Sequence, residues 1–229
     1  MEVDGEGARP ATPRLHVIVD ETVCREEGTT PMDLVARIVA AGRPVAVHLR
    51  APGLSAAALW RSATEMRAVV RPPALLIIND RADVAVAAGA DGVQLGAQGL
   101  PVAAARQVVG GNLLVGRSVH SVEEARDAER QGADYLLLGT IYPTASHPGV
   151  AGEGPDLIRT VRASVALPLV VIGGIDQTNI GGVMGAGAAG VAVIRAVAAA
   201  VNPAEAVAAL YARVGRDVTS TDTAPQRPA

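Results

Sequence analysis

Residues 113–139, LLVGRSVHSVEEARDAERQGADYLLLG, decide the fold. The stretch opens on a β-rich run, LLVGRS at 113–118, and closes on another, DYLLLG at 134–139. Between them, residues 121–131 carry helical spacing and begin with Ser121 followed three residues later by Glu124, a capping-box pattern. Nearly continuous Val, Leu and Ile marks a strand buried on both faces, as in parallel sheets.

The same unit recurs on either side. Further β-rich runs are LHVIVD at 15–20, PVAVHL at 44–49, ALLIIN at 74–79, DGVQL at 91–95, PLVVIG at 168–173 and GVAVI at 190–194, which makes eight in all. Helical spacing falls near 31–41, 55–70, 82–89, 101–109, 155–163, 177–186 and 203–214, and Thr30-Pro31 puts proline at a first helical position. Eight alternating units in about 200 residues fit a small (β/α)8 barrel. An open doubly wound sheet uses fewer strands and a glycine-rich loop after the first one. Here the first run leads into VDETVCREEG at 19–28, with no such loop. The expectation is an α/β protein with a single (β/α)8 TIM barrel over residues 14–216, between disordered tails at 1–13 and 217–229.

Composition narrows the function. Of 229 residues, 49% are hydrophobic and 19% charged, enough for a packed core and too apolar for a disordered chain. A net charge of -3 and 2% aromatic residues provide neither a basic footprint nor a stacking platform, so nucleic acid is excluded as an expected partner. The single cysteine, Cys24, excludes an intramolecular disulfide and a multi-thiolate zinc site, and suits a reducing cytoplasm. All 20 basic residues are arginine. Without lysine there is no Schiff-base chemistry and no Walker-type phosphate loop. The start, MEVDGEGARPATPR, lacks an apolar export segment, and the apolar stretch from Ala188 towards Val201 is broken by Arg195. No membrane association is expected, and the expected location is cytoplasmic.

A barrel places its chemistry on the loops that follow its strands. Those positions carry His48 and Arg50, Asn79 and Asp80, Gln94, Ser118 and His120, the segment TIYPTASHPG with Thr144, Ser146 and His147, then Gly173-Gly174 and Ile194-Arg195. The glycine pair lets backbone N–H groups approach an anion closely, and barrels often hold phosphate on the loops after strands seven and eight. Arg195 offers a charged fork to the same ligand. His120 is the acid–base candidate, because imidazole titrates near neutrality; the alternative is a histidine that orients the helix beginning at Ser121. His48 and His147 are further site candidates, whereas His16 belongs to the interior or the opposite face. No ligand spacing supports a metal site built from these histidines.

The runs LHVIVD, IINDRADVAVAAGADGVQLG, VGRSVHSVEEARDAERQGADYLLLGTIYPT and VVIGGIDQTNI…GAAGVAVIRAV resemble the thiamine phosphate synthase superfamily over nearly all of residues 14–215. That resemblance implies a (β/α)8 barrel and one of two activities, a synthase or a thiazole tautomerase of the TenI type. The synthase pattern has Gln-Leu-Arg-x-Lys where this chain has His48-Leu49-Arg50-Ala51-Pro52, and Pro-Thr-x-Thr-Lys where it has Pro143-Thr144-Ala145-Ser146-His147. Of the pattern's two magnesium-binding aspartates, Asp80 stands in place of one and Gly99 replaces the other. Thr144, Gly174, Ile194 and Arg195 occupy the positions that, by the resemblance, cradle the thiazole phosphate in the family, and GRSVHSVEEA is similar to the tautomerase branch, in which the equivalent of His120 is the catalytic residue.

The resulting expectation is a cofactor-independent and metal-independent thiazole tautomerase, an isomerase of thiamine biosynthesis. His120 moves the proton. Arg50, Asn79, Gln94, Ser118, Thr144, Ser146, His147, Gly173, Gly174, Ile194 and Arg195 bind a phosphorylated thiazole, with Arg50 on its carboxylate. One alternative is thiamine phosphate synthase, with magnesium on Asp80 and with His147 and Arg195 in place of the lysines. Another is a non-catalytic regulatory barrel that binds a phosphorylated ligand. A homo-oligomer is compatible with either.

Overall fold

The computed structural model describes residues 9–145, 149 and 151–215. Eight parallel strands close into a barrel in chain order: β1 (Leu15–Asp20), β2 (Val45–Arg50), β3 (Leu75–Asn79), β4 (Gly92–Leu95), β5 (Leu114–Val119), β6 (Tyr135–Leu138), β7 (Leu169–Ile172) and β8 (Gly190–Val193). The ring closes where β1 pairs with β8, Leu15 against Val191. Around it run α1 (Glu21–Glu26), α2 (Pro31–Val39), α3 (Ala56–Val69), α4 (Ala82–Ala87), α5 (Val102–Val109), α6 (Val122–Arg130), α7 (Gly154–Arg162), α8 (Ile180–Gly185), α9 (Arg195–Ala198) and α10 (Pro203–Val214). The expected (β/α)8 barrel is therefore the fold.

The unbroken apolar runs have a simple cause. On each strand one set of residues packs outward against the helices, for instance Val17, Val19, Val47, Leu49, Val115 and Val119. The alternate set fills the barrel: Ile18, Leu114, Tyr135, Leu137, Val170 and Ala192. Both faces are buried, so neither can be polar. Gly116 makes the interior possible, because a Cβ there would lie 2.2 Å from Cζ of the buried Tyr135 ring.

Two aspartates repeat one device at the strands' N-terminal ends. Asp91, just before β4, accepts from Leu76 N and Arg67 Nη1, each at 2.7 Å. Asp134, just before β6, accepts from Val115 N at 2.7 Å and from Arg106 Nη2 at 2.6 Å. Each carboxylate ties the preceding strand and an earlier helix to its own strand. Asp134 also pairs with Arg9, whose Nε donates to Gly111 O at 2.8 Å, so the chain ahead of β1 reaches the opposite side of the barrel. Asp134→Ala should lower unfolding free energy by about 1.5–3 kcal/mol, the cost of stranding a strand N–H and two guanidinium groups. Urea denaturation checks this, and an unchanged midpoint would show the cluster to be ornamental.

The helix α1 was not expected from the sequence. It is six residues long, too short for a periodic pattern, but its cap is visible: the Asp20 carboxylate accepts from Thr22 N and Val23 N.

Candidate active site

The loop after β6 is laid onto the end of β7. Ile141 N donates to Ile172 O at 3.0 Å and Tyr142 N to Gly173 O at 3.1 Å. This extends the sheet pairing by two residues and delivers Thr144 to the β7 end. The turn after β7 is braced in its turn: Asn179 Nδ2 donates to Gly174 O at 2.7 Å, and Asp176 accepts from Thr178 and Asn179. Hydrogen bonds from Thr178 hold the Asp176 carboxyl below its ordinary pKa. Asp176 and Asn179 were missed by the sequence reading, although Asp-x-x-Asn after Gly-Gly-Ile is a legible turn signal.

Between these braced loops lies an open cleft lined by Thr140, Thr144, Gly173, Gly174, Ile194 and Arg195 among others. Gly173 and Gly174 both take positive φ, 106° and 59°. A Cβ on Gly174 would sit 2.5 Å from Pro143 O. Glycine is required here for backbone angle and for space.

Arg195 lines the cleft, but its guanidinium does not turn to a ligand. Nη1 pairs with Glu27 and Nη2 with Glu26, at the end of α1. The charged fork expected for an anion is spent on two carboxylates. Arg195→Ala should therefore change affinity for a phosphorylated thiazole by less than about threefold, and cost roughly 0.5–1.5 kcal/mol of stability from two partly exposed ion pairs. Calorimetry that finds affinity lost by tenfold or more would put the guanidinium on the ligand after all.

Across the barrel mouth, Arg50 Nη1 pairs with Asp20, the same carboxylate that caps α1. Gln94 Nε2 donates to Ser118 Oγ at 3.1 Å. His120 stands just past β5: its N–H donates to Glu124 Oε2 at 2.7 Å and its Nδ1 meets Gly139 O, so the ring ties the end of β5 to the end of β6. Ser146 and His147 lie outside the described residues.

Beneath these groups the barrel holds a histidine pair. His16 and His48 are 1% and 0% exposed, with His16 Nδ1 2.8 Å from His48 Nε2 and His16 Nε2 3.0 Å from Pro13 O. A carbonyl can only accept, so His16 Nε2 carries the proton, His16 Nδ1 accepts, and His48 Nε2 donates. That leaves His48 Nδ1 unprotonated. Burial pushes His16 down to about 4; burial, then the neighbouring His16 ring, pushes His48 well below its usual 6.5, with Asn79 opposing. Among the described residues, His48 Nδ1, Asn79 Oδ1, Gln94 Oε1 and Tyr135 OH are buried with no hydrogen-bond partner of good geometry. His48, a site candidate by sequence, thus belongs to the interior, as His16 does. Cys24 is buried too, and burial pushes its thiol up to about 11, away from nucleophilic use.

The two magnesium-binding aspartates of the synthase pattern do not form here. Asp80 accepts from Gly96 N at 2.7 Å, and a Cβ at Gly99 would lie 2.9 Å from that same oxygen. Among the described residues no three His, Cys, Asp or Glu side chains are grouped to hold a metal. The residues present do not fit a two-aspartate site.

A closed (β/α)8 barrel with a glycine-lined cleft at the ends of β7 and β8 belongs to a class that frequently holds phosphorylated ligands at that place. The chain belongs to the thiamine monophosphate synthase family, whose model matches residues 15–197. It is 45% identical over 205 residues to the thiamine-phosphate synthase of Chlorobium luteolum, covering 89% of this chain and 93% of that one. It is 47% identical over 186 residues to the thiamine-phosphate synthase of Methanoculleus marisnigri, covering 80% and 86%. Among solved structures, the thiamine phosphate pyrophosphorylase from Pyrococcus furiosus superposes with a TM-score of 0.78 at 34% identity, covering 88% of this chain and 95% of that one. A 3-hexulose-6-phosphate synthase, at 19% identity and TM-score 0.63, shares the fold.

These relatives correct the expected activity. They are named as synthases, so the tautomerase and isomerase expectation falls, and the proton-transfer role of His120 falls with it. The expectation gave too much weight to the missing lysines and too little to the likeness of the whole chain. Among the described residues no helix is long and apolar enough to cross a membrane.

Proposed function

We propose that this chain is a transferase of thiamine biosynthesis that joins a pyrimidine diphosphate to a thiazole phosphate, a thiamine-phosphate synthase. The observation that carries this reading is the likeness to synthases along almost the whole length of both chains. The cleft supports it, since one reactant brings a phosphate that glycine backbone N–H groups can hold without lysine.

In the reaction the bond from the pyrimidine's methylene carbon to the diphosphate oxygen breaks, and the thiazole nitrogen bonds to that carbon. The nitrogen bears no proton, so no general base is needed. The enzyme must align the two partners and stabilise charge on the leaving diphosphate. Gly173, Gly174 and Thr144, with the backbone at Ile194 and Arg195, hold the thiazole phosphate on one side of the mouth. Arg50, oriented by Asp20, offers a planar guanidinium to the diphosphate on the other. Asn79, Gln94 and Ser118 line the space between, and His120 keeps the β5 and β6 loops in register.

Mixing the purified protein with both compounds tests the reading. Thiamine phosphate and inorganic diphosphate should appear in equal amounts. Conversion of thiazole phosphate in the absence of the pyrimidine would contradict it.

A further inference from the structure

The turn after β3 is strained. Asp80 takes φ 61°, a left-handed backbone that residues other than glycine seldom adopt, and Arg81 N donates to Asn79 O across it at 2.8 Å. A turn closed over two residues around a positive φ persists only where its surroundings over-determine it. Here they do. Asp80 N donates to Gln94 O at 2.8 Å, and the Asp80 carboxylate accepts from Gly96 N at 2.7 Å. Backbone and side chain of one residue thus grip the end of β4 and the first residue of the loop that follows.

That loop is held from its other side as well. Arg117 alternates along β5 with the inward-facing Gly116 and Ser118, and its guanidinium donates to Gly96 O at 2.9 Å, Leu100 O at 3.3 Å and Ala97 O at 3.5 Å. Residues 96–100 sit between a carboxylate and a guanidinium. Gly99 completes the fit, since any Cβ there would lie 2.9 Å from Asp80 Oδ1. An aspartate at 99 would have to displace the carboxylate from Gly96.

We infer that Asp80 is a positioning residue for the loop between β4 and α5 and not a metal ligand. Its carboxylate links the turn after β3 directly to the loop after β4. The inference stands on the loop geometry and holds whichever phosphorylated compounds the site takes.

Two substitutions separate the roles. Asp80→Asn keeps an acceptor for Gly96 N and tolerates positive φ, but loses the charge a dication needs. Asp80→Gly removes the acceptor while relieving the backbone strain, so the fold is retained. In amide hydrogen exchange, Gly96 should stay protected in the parent and in Asp80→Asn, and exchange roughly tenfold faster in Asp80→Gly, the scale of one lost hydrogen bond. Manganese titrated into the parent, followed by water-proton relaxation, should show no saturable site. Saturable manganese binding that Asp80→Asn abolishes would overturn the inference. So would Gly96 exchange unchanged in Asp80→Gly.

Discussion

Gly173→Ala should cost this protein about 2–4 kcal/mol of stability and most of its affinity for a phosphorylated thiazole. Gly173 directly follows β7 with φ 106°, a backbone that L side chains rarely adopt. Its Cβ would meet Thr140 Cγ2 at 2.5 Å and Ile141 N at 2.9 Å. Neither neighbour can retreat cheaply, because Ile141 N is already bonded to Ile172 O and its loop carries Thr144 to the cleft. The methyl group must lift that loop or twist the glycine pair, and either change opens the cleft. Thermal unfolding and calorimetry with thiazole phosphate read the two effects separately. Parent-like stability together with parent-like affinity would show that the loop does not form the cleft.

Stability should also fall steeply between pH 6.5 and pH 4. His16 and His48 are neutral and buried in the folded barrel, with His16 at about 4 and His48 lowered as well. In the unfolded chain both titrate near 6.5. Below that value the unfolded state takes up protons that the folded state refuses, so stability is fully present above 6.5 and is lost as pH falls. At pH 5 the His16 ring contributes a loss of about 2 kcal/mol, from 1.5 units at 1.36 kcal/mol each, and His48 adds to it in the same direction. The carboxyls of Asp83 and Asp176, held below their usual 3.8, add their loss only at lower pH. Urea midpoints at pH 7 and pH 5 test this, with His48→Gln as the control that should flatten the slope. Equal midpoints at both pH values would mean that the rings are solvated or already charged.

The barrel was legible because two-sided burial writes an unbroken apolar run for every strand, and 113–139 shows strand, helix and strand in sequence. Gly173-Gly174 was legible for a related reason: two positive φ angles beside a crossing loop admit glycine alone. Arg195 illustrates the limit. Its position at the cleft follows from strand counting, but the direction of a long side chain depends on what else is charged nearby. Glu26 ends the short α1 and Glu27 follows it as the cap, 168 residues away from Arg195 in the case of Glu27. The histidine pair was hidden in the same way, since His16 and His48 meet across neighbouring strands and no local spacing records it. The choice between synthase and tautomerase failed for a different reason. A few substituted motif positions argued against the synthase, whereas identity spread along both chains argues for it. With an arginine-only composition, a missing lysine says little about a missing function.

One measurement tests the central claim most directly. Phosphorus NMR of the protein mixed with pyrimidine diphosphate and thiazole phosphate resolves ester, leaving group and product in one spectrum. The synthase reading predicts that the diphosphate ester signals decline as inorganic diphosphate and thiamine phosphate rise together, at a turnover within the usual ~1–10³ s⁻¹. Both reactants persisting unchanged beside folded protein, or thiazole phosphate changing alone, would contradict it.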